Sequence, residues 1–293
     1  MKSIVEITEA MGTNSAMEVG LNSIYSIRPK EEIKMPVKSA EEAFKLANDA
    51  EGEMYDIVEE LMSHVKGADK RGRIKSRESI ERKCRDYGLE VCTLDDLIGK
   101  AIIVQTIEDE ETVAKLVKED KHVFRMFDYL NDKNGGGYYA VHANYKLSNG
   151  AVAELQIITV RCFVYKEIIG HILYEVRREM LPKAKKDKKY MKTFEKLDDI
   201  MEKSYLECRK ADKEQTKISQ PDLDFTEDEL KQIEECVSDK TYMRFEFLIK
   251  KKAKSIAPDF ISTKDKNLIE HYELDFKHVN KSLREYINEY EKS

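Results

Sequence analysis

The sequence predicts an α+β fold, a mixed β-sheet flanked by helices, with a C-terminal all-helical extension. Two patterns and one composition predict it. Stretches with apolar residues at three-to-four spacing are interleaved with stretches that alternate, up to about Met180. Beyond that point only helical spacing recurs. Proline (5) and glycine (12) are scarce among 293 residues, which favours long helices.

Residues 1–38 form an N-terminal segment with one short strand pattern, Ser3–Ile7, and a boundary near Pro36. Ser39 then opens a helix to about Lys66. Ser39 as N-cap and Glu42 three residues on make a capping box, and Ala43, Leu46, Ala47, Met54, Ile57, Val58, Leu61 and Met62 form one apolar face. Gly67–Gly72 breaks this helix. Arg73–Ser76 is short and extended, and Arg77–Tyr87 is a helix stopped at Gly88. Lys100–Thr106 is a buried strand, Asp109–Glu119 a helix, and Val123–Leu130 either a strand or a short helix. Tyr138–Leu147 and Ala151–Thr159 are strands joined by the turn Ser148-Asn149-Gly150. Arg161–Met180 is a long helix ended by Leu181-Pro182. Residues 39–182 are thus read as the central domain and 183–293 as a helical accessory or regulatory region. The latter contains a helix to about Lys210, a polar linker at 215–224, and a capping box at Thr226 and Glu229 with a staple from Phe225 to Leu230. Further helices are expected at Asp239–Ser255, Lys264–Tyr272 and His278–Glu291.

Composition narrows the function classes. The net charge of −6 gives no overall nucleic-acid signal. Five scattered cysteines with no CxxC pair argue against a disulfide framework or a zinc site. No apolar run is long enough to span a membrane, and acidic residues interrupt the apolar N-terminus, so no membrane partner and a cytoplasmic location are expected.

Several clusters could carry chemistry. Arg73, Lys75, Arg77, Arg82 and Lys83 surround the helix start at Ser76. They are either an anion site at a helix N-terminus or an ordinary basic helix paired with Glu78 and Glu81. Asp95-Asp96 precedes the buried strand, either as carboxylates placed to hold Mg²⁺ or as ordinary loop or N-cap aspartates. Gly135-Gly136-Gly137 leads into Tyr138, Ala140 and His142 on one strand face. Glu154 sits in an otherwise apolar strand, apart from Gln156; it is either a buried carboxylate that needs a partner, such as a metal shared with Asp96, or an edge-strand glutamate facing water. His171 and Tyr174 lie one turn apart on the long helix, where a packed, hydrogen-bonded histidine is expected ahead of a catalytic one. The lysines of Lys183–Lys189 are either a solvated helix start or a polyanion patch.

In this order the clusters resemble the synthetase domain of the RelA/SpoT alarmone family. The resemblance runs through Gly72-Arg73-Ile74-Lys75-Ser76, Ser79-Ile80, Lys83, Asp96-Leu97-Ile98-Gly99, Asp128-Tyr129-Leu130, Lys133-Asn134, Gly137-Tyr138, His142, Glu154-Leu155-Gln156-Ile157, Thr159, His171 and Tyr174. It implies a nucleotidyltransferase-like sheet and a pyrophosphokinase that moves the β,γ-diphosphate of ATP to the ribose 3′-hydroxyl of GDP or GTP. By the same resemblance Arg73, Lys75, Ser76 and Lys83 would bind ATP, and Asp96 and Glu154 would be the catalytic and Mg²⁺-binding carboxylates. Lys133, Asn134, Tyr138 and His142 would bind the acceptor guanine nucleotide, with Tyr138 stacked on its base. The chain departs from the family at Ala101 and Ile158, where arginines are usual. These departures imply a donor site that is weakened, rebuilt from elsewhere, with Lys100 adjacent to Ala101, or degenerate. Histidines of the hydrolase half of long family members are missing, which implies the small, synthetase-only type. A toxin-like branch that modifies the 3′ end of tRNA, and a catalytically degenerate nucleotide-binding module, are the alternatives. A homo-oligomer and an antitoxin or regulatory partner also stay open.

Overall fold

The computed structural model describes residues 34–129, 138–216 and 223–250. The expected strand Ser3–Ile7, the acceptor residues Lys133 and Asn134, the three glycines 135–137, and the last two expected helices lie outside the described residues. The chain divides into two compact units, Met1–Asn134 with Ala140–Thr159, and Gly135–Tyr139 with Val160–Ser293.

The first unit is an α+β sandwich. Helix α1 (Ala40–Ser63) starts at Ser39, whose side chain accepts from the Glu42 amide; the Glu42 carboxylate reaches back one residue further than expected, to the Lys38 amide at 2.6 Å. Ala43, Ala47, Ala50, Met54, Val58 and Leu61 form its buried stripe. Alanines at three of these positions let the helix lie close on the sheet, while Met54, Val58 and Leu61 contribute roughly 1.5–3 kcal/mol each by burial. Strand β1 (Asp69–Ile74) follows, then α2 (Arg77–Tyr87), capped by Ser76 and closed by Gly88 at φ 64°. A short 3₁₀ turn at Val91–Thr93 leads to β2 (Ile98–Val104), α3 (Ile107–Glu119), β3 (Val123–Asp128), β4 (Val141–Lys146) and β5 (Val152–Thr159). Residues 123–130, which sequence left between two states, therefore begin as a strand.

The five strands lie in the order β1-β2-β5-β4-β3. β2 and β5 are parallel and the other neighbours antiparallel, so the sheet is mixed. One face carries Ile98, Ile102, Val104, Met126, Val141, Ala143, Tyr145, Ala153, Leu155 and Ile157, which join the stripe of α1 and Val113, Ala114 and Val117 of α3 in one core. The other face carries Arg73, Glu154, Asn144 and Arg125, and also the buried Ile103 and Ile158. The turn between β4 and β5 is tied to α1: Ser148 donates its amide to Glu53 at 2.9 Å, Asn149 donates its side-chain amide to the Leu46 carbonyl at 2.9 Å, and Gly150 closes the turn at φ 87°.

The second unit is helical among its described residues. α4 (Val160–Tyr165) passes through a π-helical turn, Lys166–Gly170, into α5 (His171–Ala184); α6 (Lys188–Glu214), α7 (Glu227–Cys236) and α8 (Asp239–Lys250) follow. A Cβ at Gly170 would stand 2.7 Å from the Tyr205 hydroxyl, so the π turn and a glycine together make room for that ring. The helix does not end at Pro182: α5 continues to Ala184. Proline forfeits one amide hydrogen bond, but here it does so in the last turn, between the buried Met180 and Ala184. The capping box at Thr226 and Glu229 forms in both directions, and Phe225 packs edge-on against Phe245. Two of the lysines in Lys183–Lys189 are structural. Lys183 donates to the Glu235 carbonyl, and Lys189 pairs with the Glu235 carboxylate at 3.0 Å. Arg161, fully buried, pairs with Asp212 at 3.1 Å and holds the end of α6 through the Thr216 carbonyl. Among the described residues no helix is long and apolar enough to cross a membrane.

Candidate active site

Strand register builds the site. Residues directly opposite on neighbouring strands project from the same face. One such row on the polar face runs Arg73, Gly99, Glu154, Asn144 and Arg125 through β1, β2, β5, β4 and β3. The next runs Arg71, Ala101, Gln156, His142 and Phe127. Lys100 falls on the opposite face, where its ammonium pairs with Glu51 of α1 at 2.8 Å, and so it does not replace a cation at Ala101. The period of two decides this: adjacent in sequence means opposite in space.

Asp96, in the loop that enters β2, is the centre of charge. Its Oδ2 receives Lys75 at 3.0 Å, from the end of β1, and Lys83 at 2.9 Å, from α2. Lys83 also lies 3.6 Å from Asp95. The basic helix therefore turns Lys83 to the two aspartates, rather than to Glu78 or Glu81. Burial alone would lower the Lys83 pKa, but Asp96, Asp95 and Glu154 outweigh it and raise it, so the ammonium persists at neutral pH. The other oxygen of Asp96, Oδ1, is buried and has no hydrogen-bond partner among the described residues.

Glu154 finds the partner its setting demands. Nδ1 of His142 lies 3.1 Å from Oε1, and Gln156 donates to Oε2 at 2.9 Å. Burial pushes its pKa up, but the charge and hydrogen bond of His142, the hydrogen bond of Gln156 and the charge of Lys83 bring it down to about 2. Tyr129 meets the His142 ring edge-on at 5.1 Å.

A third group fixes the Asp95-Asp96 loop. Arg125 donates through Nε to Asn144 Oδ1 at 2.8 Å and through its second arm to the Asp95 carboxylate, and Asn144 donates to the Asp95 carbonyl at 2.9 Å. Side chain and backbone of Asp95 are both held, which sets the direction of the next residue, Asp96. Sequence reasoning missed Arg125, Asn144 and Gln156. The signal for the last two was available: each lies two residues from His142 or Glu154 and shares its face.

The remaining expected residues lie as follows. Arg73 is exposed, and its side chain has no hydrogen bond or ion pair among the described residues. Ser76 caps α2, accepting from the Ser79 amide at 3.3 Å. Tyr138 belongs to the second unit and packs edge-on against Tyr205 at 5.5 Å. His171 is exposed rather than packed and stands 3.4 Å from Glu167; Tyr174 is exposed as well. Among the described residues no three His, Cys, Asp or Glu side chains group to hold a metal unaided. Magnesium does not require that, since it takes one or two carboxylates together with substrate phosphates. The unsatisfied Oδ1 of Asp96 fits that demand.

Residues 72–179 match the family model described as "Region found in RelA / SpoT proteins". No curated protein sequence matches the chain significantly. Among solved structures, the chain is similar to a GTP pyrophosphokinase family protein from Streptococcus pneumoniae, at 21% identity and TM-score 0.43, over 58% of this chain and 91% of that one. It is similar to the small alarmone synthetase 2 from Bacillus subtilis, at 24% identity and TM-score 0.41, over 58% and 90%. It is also similar to a structure of the Type VI effector Tas1 with its immunity protein, at 17% identity and TM-score 0.37, over 82% and 96%.

Proposed function

We propose, from the match of residues 72–179 to the region found in RelA / SpoT proteins, that this chain is a pyrophosphotransferase of that family. It moves the β,γ-diphosphate of ATP to the ribose 3′-hydroxyl of GDP or GTP. The observation that carries this is Asp96, with one oxygen neutralised by Lys75 and Lys83 and the other buried and unsatisfied, in the same charged cluster as an ionised Glu154. Transfer of this kind needs charge neutralisation and in-line placement more than covalent help.

In the reaction the acceptor 3′-oxygen attacks the β-phosphorus of ATP. The bond from that phosphorus to the α,β-bridging oxygen breaks, AMP leaves with the electron pair, and the hydroxyl proton is released. Lys75 and Lys83 leave Asp96 in part to meet the phosphates. Glu154, ionised at neutral pH, accepts the hydrogen bond of the attacking hydroxyl and orients it. Asp96 through Oδ1, with Glu154 as second ligand, would hold Mg²⁺, which when bound neutralises phosphate charge. Arg73, exposed and without a described partner, meets the donor nucleotide from β1, and Ser76 offers the α2 N-terminus to its phosphates. With Lys100 committed to Glu51, the donor base has no cation from β2. Tyr138, His142, Lys133 and Asn134 are the acceptor residues in this reading.

The experiment is transfer of label from γ-labelled ATP, with Mg²⁺, to GDP, GTP or bulk tRNA. Label on the guanine nucleotide supports the proposal. Label confined to tRNA replaces the acceptor with the tRNA 3′ end. Nucleotide binding with no transfer to any of them means a binding module.

A further inference from the structure

We propose that the bare backbone of Gly99 is the seat of a bound nucleoside triphosphate, so that the missing side chain at this position is a requirement of the ligand and not of the fold. The inference rests on the transfer reading above and adds a specificity-determining residue to it.

Most described glycines have a reason within the fold. Gly67, Gly88 and Gly150 have φ of 68°, 64° and 87°, where side chains are disfavoured. A Cβ at Gly72 would stand 2.2 Å from Lys100 Cδ and 2.9 Å from the Gly99 carbonyl, and one at Gly170 would stand 2.7 Å from the Tyr205 hydroxyl. Gly52 has open space, but on the exposed surface of α1. Gly99 is different. Its φ is not positive, and its Cβ would meet nothing closer than the Arg73 carbonyl at 4.0 Å. It lies inside β2, between two hydrogen-bonded neighbours, where a glycine weakens a strand and often marks close approach of a ligand.

Its place in the row says what approaches. Gly99 stands between Arg73 on one side and Glu154 on the other, all on the polar face. Neighbouring strands lie about 4.8 Å apart, so the two flanking backbones are roughly 10 Å apart. Only main chain floors that gap. A nucleotide held by Arg73 and reacting beside Glu154 must cross it, and Asp96 with its two lysines enters the same strand three residues earlier. A side chain at 99 would occupy the space the ribose or phosphate chain needs.

The test is binding of α,β-methylene-ATP with Mg²⁺ by calorimetry, beside thermal melting, for the wild type, Gly99→Ala, Gly99→Val and the control Gly72→Ala. The expected result is that both Gly99 variants melt at or above the wild-type temperature, while Gly72→Ala melts lower. Gly99→Ala should bind the analogue at least tenfold more weakly, and Gly99→Val should show no measurable binding. Wild-type affinity in Gly99→Val overturns the inference. So does a drop in melting temperature of the Gly99 variants like that of Gly72→Ala, since the glycine would then serve the fold. A folded wild type that binds no analogue overturns the transfer reading, and this inference with it.

Discussion

Glu154→Gln isolates the charge at the centre of the sheet. The substitution keeps the shape of the side chain and removes the anion between His142 and Gln156. In the folded chain the Glu154 pKa is held at about 2, against an ordinary value of 4.5. A folded-state pKa depressed by about 2.5 corresponds to stability on the order of 3 kcal/mol, present above the unfolded value and lost as pH falls toward the folded one. The glutamine variant lacks this contribution. At pH 7 it should therefore be less stable than the wild type by up to about 3 kcal/mol. By pH 3.5 the unfolded glutamate is mostly protonated and the folded one is not, so the gap should have narrowed by about 1.4 kcal/mol. Urea denaturation of both proteins at pH 7, 5 and 3.5 measures it. A gap that stays constant over this range, or widens as pH falls, would refute the reasoning.

Other substitutions test the supports of the site and the second unit. Arg125→Ala leaves the Asp95 carboxylate and Asn144 without their shared donor and should cost about 2–3 kcal/mol by chemical denaturation, with a smaller loss for Arg125→Lys. Wild-type stability in Arg125→Lys would mean that the fork to Asn144 contributes nothing, and a loss equal to that of Arg125→Ala would mean that the charge on Asp95 contributes nothing. Gly170→Ala forces a methyl group against the Tyr205 hydroxyl and should cost about 1–3 kcal/mol. Tyr205→Phe in the same chain should recover part of that cost, and a double-mutant cycle with no coupling would sink this account of the π turn.

What sequence disclosed was mostly local. Ser39, Ser76 and Thr226 cap helices, and Gly88 stops one, because those signals act within four residues. The strands of the hairpin and the isolated glutamate were legible for the same reason, since alternation and an unpartnered charge are visible in a short window. Three features were not. Arg125 lies in a stretch that reads equally as strand or helix, so its face was undefined and its bond to Asp95, 30 residues away, could not be foreseen. Lys100 is next to Ala101 in the chain but belongs to the face covered by α1. The π turn at Lys166–Gly170 depends on Tyr205, 35 residues beyond Gly170, and nothing in the local spacing announces it. Pro182 misled in the opposite sense: its local rule is correct, but a helix with two residues left to run tolerates the lost bond.

The central claim is that Asp96 organises transfer of a diphosphate. Its most direct measurement is the rate at which label from γ-labelled ATP reaches GDP or GTP in Mg²⁺, for the wild type and for Asp96→Asn, with circular dichroism confirming that both are folded. The account predicts label on the guanine nucleotide for the wild type and its loss in the variant. Transfer by Asp96→Asn at the wild-type rate would contradict it.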